Sequence, residues 1–118
     1  MKPVNLAQKL SLFSSHWDPH VVADYNGNDV MVVKFQGEYP FHKHVDTDDF
    51  FYVLEGEMEM DIEGEPPRRV KAGELFVVPK GVVHRPRAAQ EVKVLLIEPK
   101  GEPNSGDSDR EAAPKPRI

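Results

Sequence analysis

The sequence predicts an all-β domain, a sandwich or barrel of short antiparallel strands. Three observations carry this expectation. From Val21 to Glu98, short apolar runs recur, each bounded by Gly, Pro, Asn or Asp. Several of these runs alternate apolar and polar residues with the period of two expected of a half-buried strand. The only stretch with a helical period is brief and lies near the start of the chain.

That stretch covers residues 2–15, where Asn5 can cap a helix that sets Leu6, Leu10 and Phe13 on one face. Residues 1–20 are therefore read as an N-terminal arm, either irregular or holding a short helix packed on the outside of the body. Trp17 is expected to pack on that body, and His16 and His20 to be surface or edge residues. Val21–Tyr25 and Val30–Phe35 read as two strands joined by Asn26-Gly27-Asn28-Asp29. Asn-Gly is a strong hairpin signal, because a type I′ turn needs positive φ at both central residues. Met31, Val33 and Phe35 should face the core; Val30, Val32 and Lys34 should face away from it.

Phe50–Glu55 is apolar on both faces and is placed centrally. Glu57–Glu63 alternates, with Met58, Met60 and Ile62 inward and Glu57, Glu59, Asp61 and Glu63 on a solvated face that discourages edge pairing. Arg68–Ala72 is a short polar strand, and Leu75–Val78 an apolar one. In Glu91–Glu98, Val92, Val94 and Leu96 can line one face, with Leu95 and Ile97 on the other. These strands place one body at residues 21–98. Beyond it, residues 99–118 carry four prolines, two glycines and mixed charge. Such a segment buries too little surface alone to offset its ordering entropy, so it is expected as a flexible tail or an arm lying on a partner subunit.

Composition narrows the function. The chain has 118 residues, enough for one domain. A net charge of −5 argues against a general nucleic-acid binder. There is no cysteine, hence no disulfide framework and no thiolate chemistry. Neither a signal-peptide pattern nor an apolar run long enough to cross a bilayer is visible, and a soluble cytoplasmic protein is the expectation.

The chemistry concentrates in residues 37–56. In an extended chain, residues two apart point to one side, so His42 and His44 aim two imidazoles at one point. Asp49 reaches the same point if the chain turns between Val45 and Asp48. Two imidazoles and a carboxylate are a common ligand set for a divalent transition metal with open positions. A second stretch, Gly73–His84, is a strand, a Pro79-Lys80-Gly81 turn and a further imidazole at His84.

Both stretches resemble the two motifs of the cupin family, and the chain is similar to small single-domain cupins. The first motif is matched by Gly37, His42, His44, Asp49 and Gly56, and the second by Gly73, Pro79, Gly81 and His84. The resemblance implies a double-stranded β-helix, the jelly-roll barrel, in which the two motifs converge. It implies His42, His44, Asp49 and His84 as ligands of one divalent metal: Fe, Mn, Ni, Zn or Cu. There are two departures. Asp49 stands where the family usually has Glu, one methylene longer, so it coordinates directly, coordinates through water, or does not coordinate. Ala88 stands where the family has Asn.

Asp48 competes with Asp49 for the ligand role or bonds turn amides. Tyr39, Phe41, Phe51, Tyr52 and Phe76 are candidates for pocket wall or core. Lys80, Arg85 and Arg87 either hold an anionic substrate or serve solubility. Apart from Asp48, the sequence shows no spare acid or base beside the motifs. Two functions remain open: a metal-dependent small-molecule enzyme of oxygenase or isomerase type, and a non-catalytic ligand-binding or sensor protein. A homodimer is expected, through edge strands near the N-terminus or through the tail.

Overall fold

Seven strands and one short helix make up the structure, a computed structural model that describes residues 1–118. In chain order they are α1 (Leu6–Leu10), β1 (His20–Tyr25), β2 (Asn28–Glu38), β3 (Asp49–Glu55), β4 (Glu57–Ile62), β5 (Arg68–Lys71), β6 (Leu75–Val78) and β7 (His84–Pro99). All strand pairs are antiparallel. One layer runs β1-β2-β7-β3-β6. The other pairs β5 with β4 and β4 with the first half of β7, from Ile62 opposite His84 to Glu59 opposite Arg87. β7 therefore belongs to both layers and folds one sheet over the other, giving the all-β jelly roll. No helix is long and apolar enough to cross a membrane.

The core lies between the layers. Met31, Val33 and Phe35 of β2 meet Phe51 and Val53 of β3, Met58 and Met60 of β4, and Val92, Val94 and Leu96 of β7. α1 packs outside, as its pattern suggested: Leu10 joins Val22 and Val32 in a second, smaller cluster. Asn5 caps this helix by accepting the Gln8 N–H at 2.9 Å. The hairpin turn is tighter than expected, with only Asn26 (φ 48°) and Gly27 (φ 76°) between β1 and β2, the backbone a type I′ turn demands. At the β3–β4 corner Gly56 has φ 86°, and a Cβ there would lie 3.1 Å from the Glu91 carbonyl oxygen.

Several expectations are corrected. The strand read as starting at Glu91 starts at His84 and runs sixteen residues. The acids of β4 are not one solvated face: Asp61 is buried and accepts hydrogen bonds from Arg85 (2.9 Å) and Arg87 (2.7 Å) on β7. β4 is no free edge, since β5 and β7 flank it. His20 is buried, its ring stacked 3.9 Å from Phe13, whereas His16 pairs with Glu91 at the surface. Residues 100–118 lie across the mouth of the chain's own barrel, where the sequence suggested a free tail or an arm on a partner. Val21 bridges Arg117, and the Ile118 N–H donates to the Val21 carbonyl at 3.0 Å.

Candidate metal centre

The two motifs are stitched together through the backbone. The N–H of His42 donates to the His84 carbonyl and the N–H of His84 to the His42 carbonyl, both at 2.9 Å. This reciprocal pair brings the two rings to 4.5 Å between centroids. A further bond runs from the Gly81 N–H to the His44 carbonyl at 2.8 Å. Asp48 is used in the same seam: its Oδ1 accepts the Lys80 N–H at 2.9 Å, the turn-amide role rather than a place among the donors. Asp49 opens β3 pointing inward, in line with Phe51 and Val53.

The result is a buried group of His42, His44, Asp49 and His84 whose ligand atoms all lie within 4.8 Å of one another. Asp49 Oδ2 is 2.9 Å from His84 Nε2 and 3.3 Å from His44 Nε2. The donor set fits a divalent transition metal on two counts. His44 Nε2 is buried, and its 3.3 Å contact with Asp49 Oδ2 falls outside hydrogen-bond geometry, a poorly satisfied state that a cation would relieve. The Nδ1 of His42 donates to the Pro40 carbonyl (2.9 Å) and that of His84 to the Val82 carbonyl (2.8 Å), which leaves Nε2 as the ligand atom of each ring. Without a cation the charges settle among the residues themselves. Burial disfavours charge on both His44 and Asp49, yet opposite charges around them outweigh it: Asp49, with Glu98 and Glu102, holds His44 up at about 9, and His44, with His84, holds Asp49 down at about 2. Burial lowers the pKa of His42.

Beside the cluster is a chamber of about 30 Å³, room for about two water molecules. Trp17, Phe35, Phe51 and Leu96 wall it, with His42 and Asp49 on one side. Tyr39 also lines it and accepts a hydrogen bond from the Asn104 side-chain amide at 3.3 Å. Glu98, which the sequence reading missed, lines it as well. Its side chain is 3% exposed, Oε2 has no hydrogen-bond partner, and the nearest cation, Lys115 Nζ, is 3.9 Å away. Burial first, and the Asp49 charge second, push its pKa up to about 7.

Other expected residues lie elsewhere. Tyr52 alternates with Phe51 and so sits on the outer face, opposite Leu75 and Leu95. Arg85 is held by Asp61 and Glu38 and lies over the ring of Phe41, away from the chamber. Phe76 packs against the core cluster, to which Phe51, part of the chamber wall, belongs.

Comparison with known proteins agrees with this geometry. The cupin domain model matches residues 29–98. The chain belongs to the cupin family. This cupin is 41% identical to a cupin-2 domain containing protein of Shewanella frigidimarina, whose crystal structure aligns with a TM-score of 0.80 over 82% of this chain and 94% of that one. It is 37% identical over 79 residues to the uncharacterized protein YdbB of Bacillus subtilis, 67% of this chain and 70% of that protein. It is also 36% identical over 59 residues to dimethylsulfoniopropionate lyase DddQ of Ruegeria pomeroyi, half of this chain but only 29% of that longer protein.

Proposed function

We propose that this cupin is a metal-dependent enzyme acting on a small molecule, with His42, His44, Asp49 and His84 as the ligands of one divalent transition metal. The observation that carries the reading is the convergence of four buried donor residues whose ligand atoms lie within 4.8 Å of one another, His44 Nε2 among them making no well-formed hydrogen bond. Imidazole and carboxylate donors suit iron, manganese, nickel, zinc or copper. A bound ion would supply Lewis acidity at the positions these ligands leave open, polarising a carbonyl or holding a small co-substrate.

The chain's own residues supply the rest. Trp17, Phe35, Phe51 and Leu96 keep bulk water out, and Tyr39 and Asn104 offer polar contacts. Glu98 is a buried carboxyl facing the same space, able to accept a proton at Oε2 and return it. This group favours the enzyme over the non-catalytic ligand-binding alternative, which has no use for a buried acid whose Oε2 takes no hydrogen bond. It also favours proton-transfer chemistry, the isomerase type, over an oxygenase.

The test is deuterium incorporation from solvent into a panel of small carbonyl acids and sugars, read by NMR on metal-loaded protein, beside oxygen uptake with the same panel. Exchange that is lost in Glu98→Gln supports the reading. Oxygen uptake without exchange would make it an oxygenase, and saturable binding with neither would make it a sensor.

We also propose that the working unit is a homodimer, through a surface other than the one first expected. The tail covers the chain's own barrel and Arg117 bridges β1, so neither is free for a partner. β6 is paired on one side only, and its Leu75 (57% exposed) and Val77 (44%) continue an outer apolar band with Phe50, Tyr52, Leu95 and Ile97. An unpaired edge beside such a band is self-complementary about a two-fold axis.

A further inference from the structure

We propose that residues 102–117 form a strap that closes the chamber over the metal centre and lifts to admit ligand, and that the Glu102–His44 contact links its closure to metal occupancy. The inference rests on the metal-centre reading for its second half; the strap itself stands on contacts within the chain.

The segment is placed by a chain of specific bonds. Asn104 donates its side-chain amide to the Tyr39 hydroxyl and accepts the Ala113 N–H at 2.8 Å, tying the strap both to the chamber wall and to itself. Asp107 accepts the Lys43 N–H at 2.8 Å and returns its own N–H to the Lys43 carbonyl at 3.2 Å, between the two motif histidines. Gly106 lies against His42 so closely that a Cβ would fall 2.9 Å from His42 Cδ2 and 2.5 Å from the Lys43 oxygen. Lys115 donates to the Glu102 carbonyl and approaches Glu98. Arg110 stacks over Tyr39 with its guanidinium carbon 4.9 Å from the ring centroid.

Two features say that this closure is not permanent. With the strap in place and Asn104 in its wall, the chamber of about 30 Å³ holds water and little more, too little room for an organic substrate. The strap is also held by polar and backbone contacts, several of them part-buried, and none of its residues joins the main apolar core. Segments with few buried apolar contacts open at much lower cost than the body they rest on.

The link to the metal runs through Glu102. Its Oε2 lies 3.4 Å from His44 Nδ1, on the far side of the ring from the Nε2 that faces Asp49. An acceptor at the distal nitrogen orients a ligating imidazole and raises its basicity, and such partners are worth about 10–100-fold in metal affinity. His44 has this acceptor only while the strap is down. By reciprocity, a metal on Nε2 must then hold the strap down by the same factor.

The experiment uses the full chain loaded with Co²⁺, with stoichiometry measured first. Extraction by pyridine-2,6-dicarboxylate is followed against chelator concentration, beside hydrogen exchange of the Gly106, Asp107 and Ala113 amides. In wild type the extraction rate is expected to plateau at the strap-opening rate. In Asn104→Ala, which touches no ligand, the plateau rises at least tenfold and the three amides lose protection while those of β7 keep theirs. In Glu102→Ala, Co²⁺ affinity falls about 10–100-fold. A plateau in Asn104→Ala within twofold of wild type, with one Co²⁺ bound, overturns the strap alone. If no Co²⁺ binds, the metal-centre reading fails instead, and amide exchange in wild type and Asn104→Ala still decides: protection of the three amides equal to that of β7 in both would refute an opening strap.

Discussion

Replacing Glu98 by Gln should stabilise the metal-free protein at neutral and alkaline pH and leave it unchanged in acid. Burial, with the Asp49 charge in support, raises the Glu98 carboxyl from 4.5 to about 7. The folded protein thus keeps a proton that the unfolded chain releases between these values. The stability from holding that proton is fully present below pH 4.5, falls as pH rises through the window, and is gone above about 7. At about 1.4 kcal/mol per tenfold in proton affinity, the whole window is worth about 3 kcal/mol. Gln has the same shape and cannot ionise, so its profile stays flat where wild type declines. The attraction of Lys115, 3.9 Å away, is already contained in that raised value, and partial relaxation of the site around the ionised carboxylate makes 3 kcal/mol an upper figure. The assay is urea unfolding after chelator dialysis at pH 4.5, 6, 7 and 8, since a bound cation would draw the carboxyl back toward its ordinary value. A gap opening toward alkaline pH to about 2–3 kcal/mol is the expected result. A gap independent of pH, or one widest in acid, would refute the burial argument.

Two further outcomes follow from the fold. Asp61→Asn leaves Arg85 and Arg87 without their shared carboxylate and should cost about 2 kcal/mol in urea unfolding at pH 7, with little effect on metal content. A cost under about 0.5 kcal/mol would mean the pair behaves as an ordinary surface contact. If the proposed dimer forms, Leu75→Glu with Val77→Lys should give a monomer in light scattering where wild type is dimeric, without loss of far-ultraviolet circular dichroism. Wild type that is monomeric at working concentration would remove the outer-face dimer.

What the sequence revealed, and what it hid, follows from how local each signal is. The Asn26-Gly27 turn, the inward row Met31, Val33 and Phe35, and the pair Met58 and Met60 are set by near neighbours and the period of two. His42 and His44 share a face by spacing alone, and the backbone pairing of His42 with His84 could be anticipated only through the family resemblance. Glu98 was hidden in a pattern that contained it: Val92, Val94 and Leu96 share a face by the period of two, the structure turns that face inward, and the next position in that register is 98. Asp61 was misread because its partners lie on the first half of β7, a strand whose Pro86 and two arginines disguise it. The strap had no periodic signal. Its order comes from single contacts at Asn104, Gly106 and Asp107 that composition does not register.

The central claim is that His42, His44, Asp49 and His84 hold a metal, and elemental mass spectrometry tests it most directly. The protein is reconstituted anaerobically with iron, manganese, nickel, zinc or copper, freed of excess metal and measured beside a His42→Ala/His44→Ala variant of equal thermal stability. One metal per chain in wild type and almost none in the variant is the result this account predicts. No bound metal in wild type, or equal metal in both proteins, would contradict it.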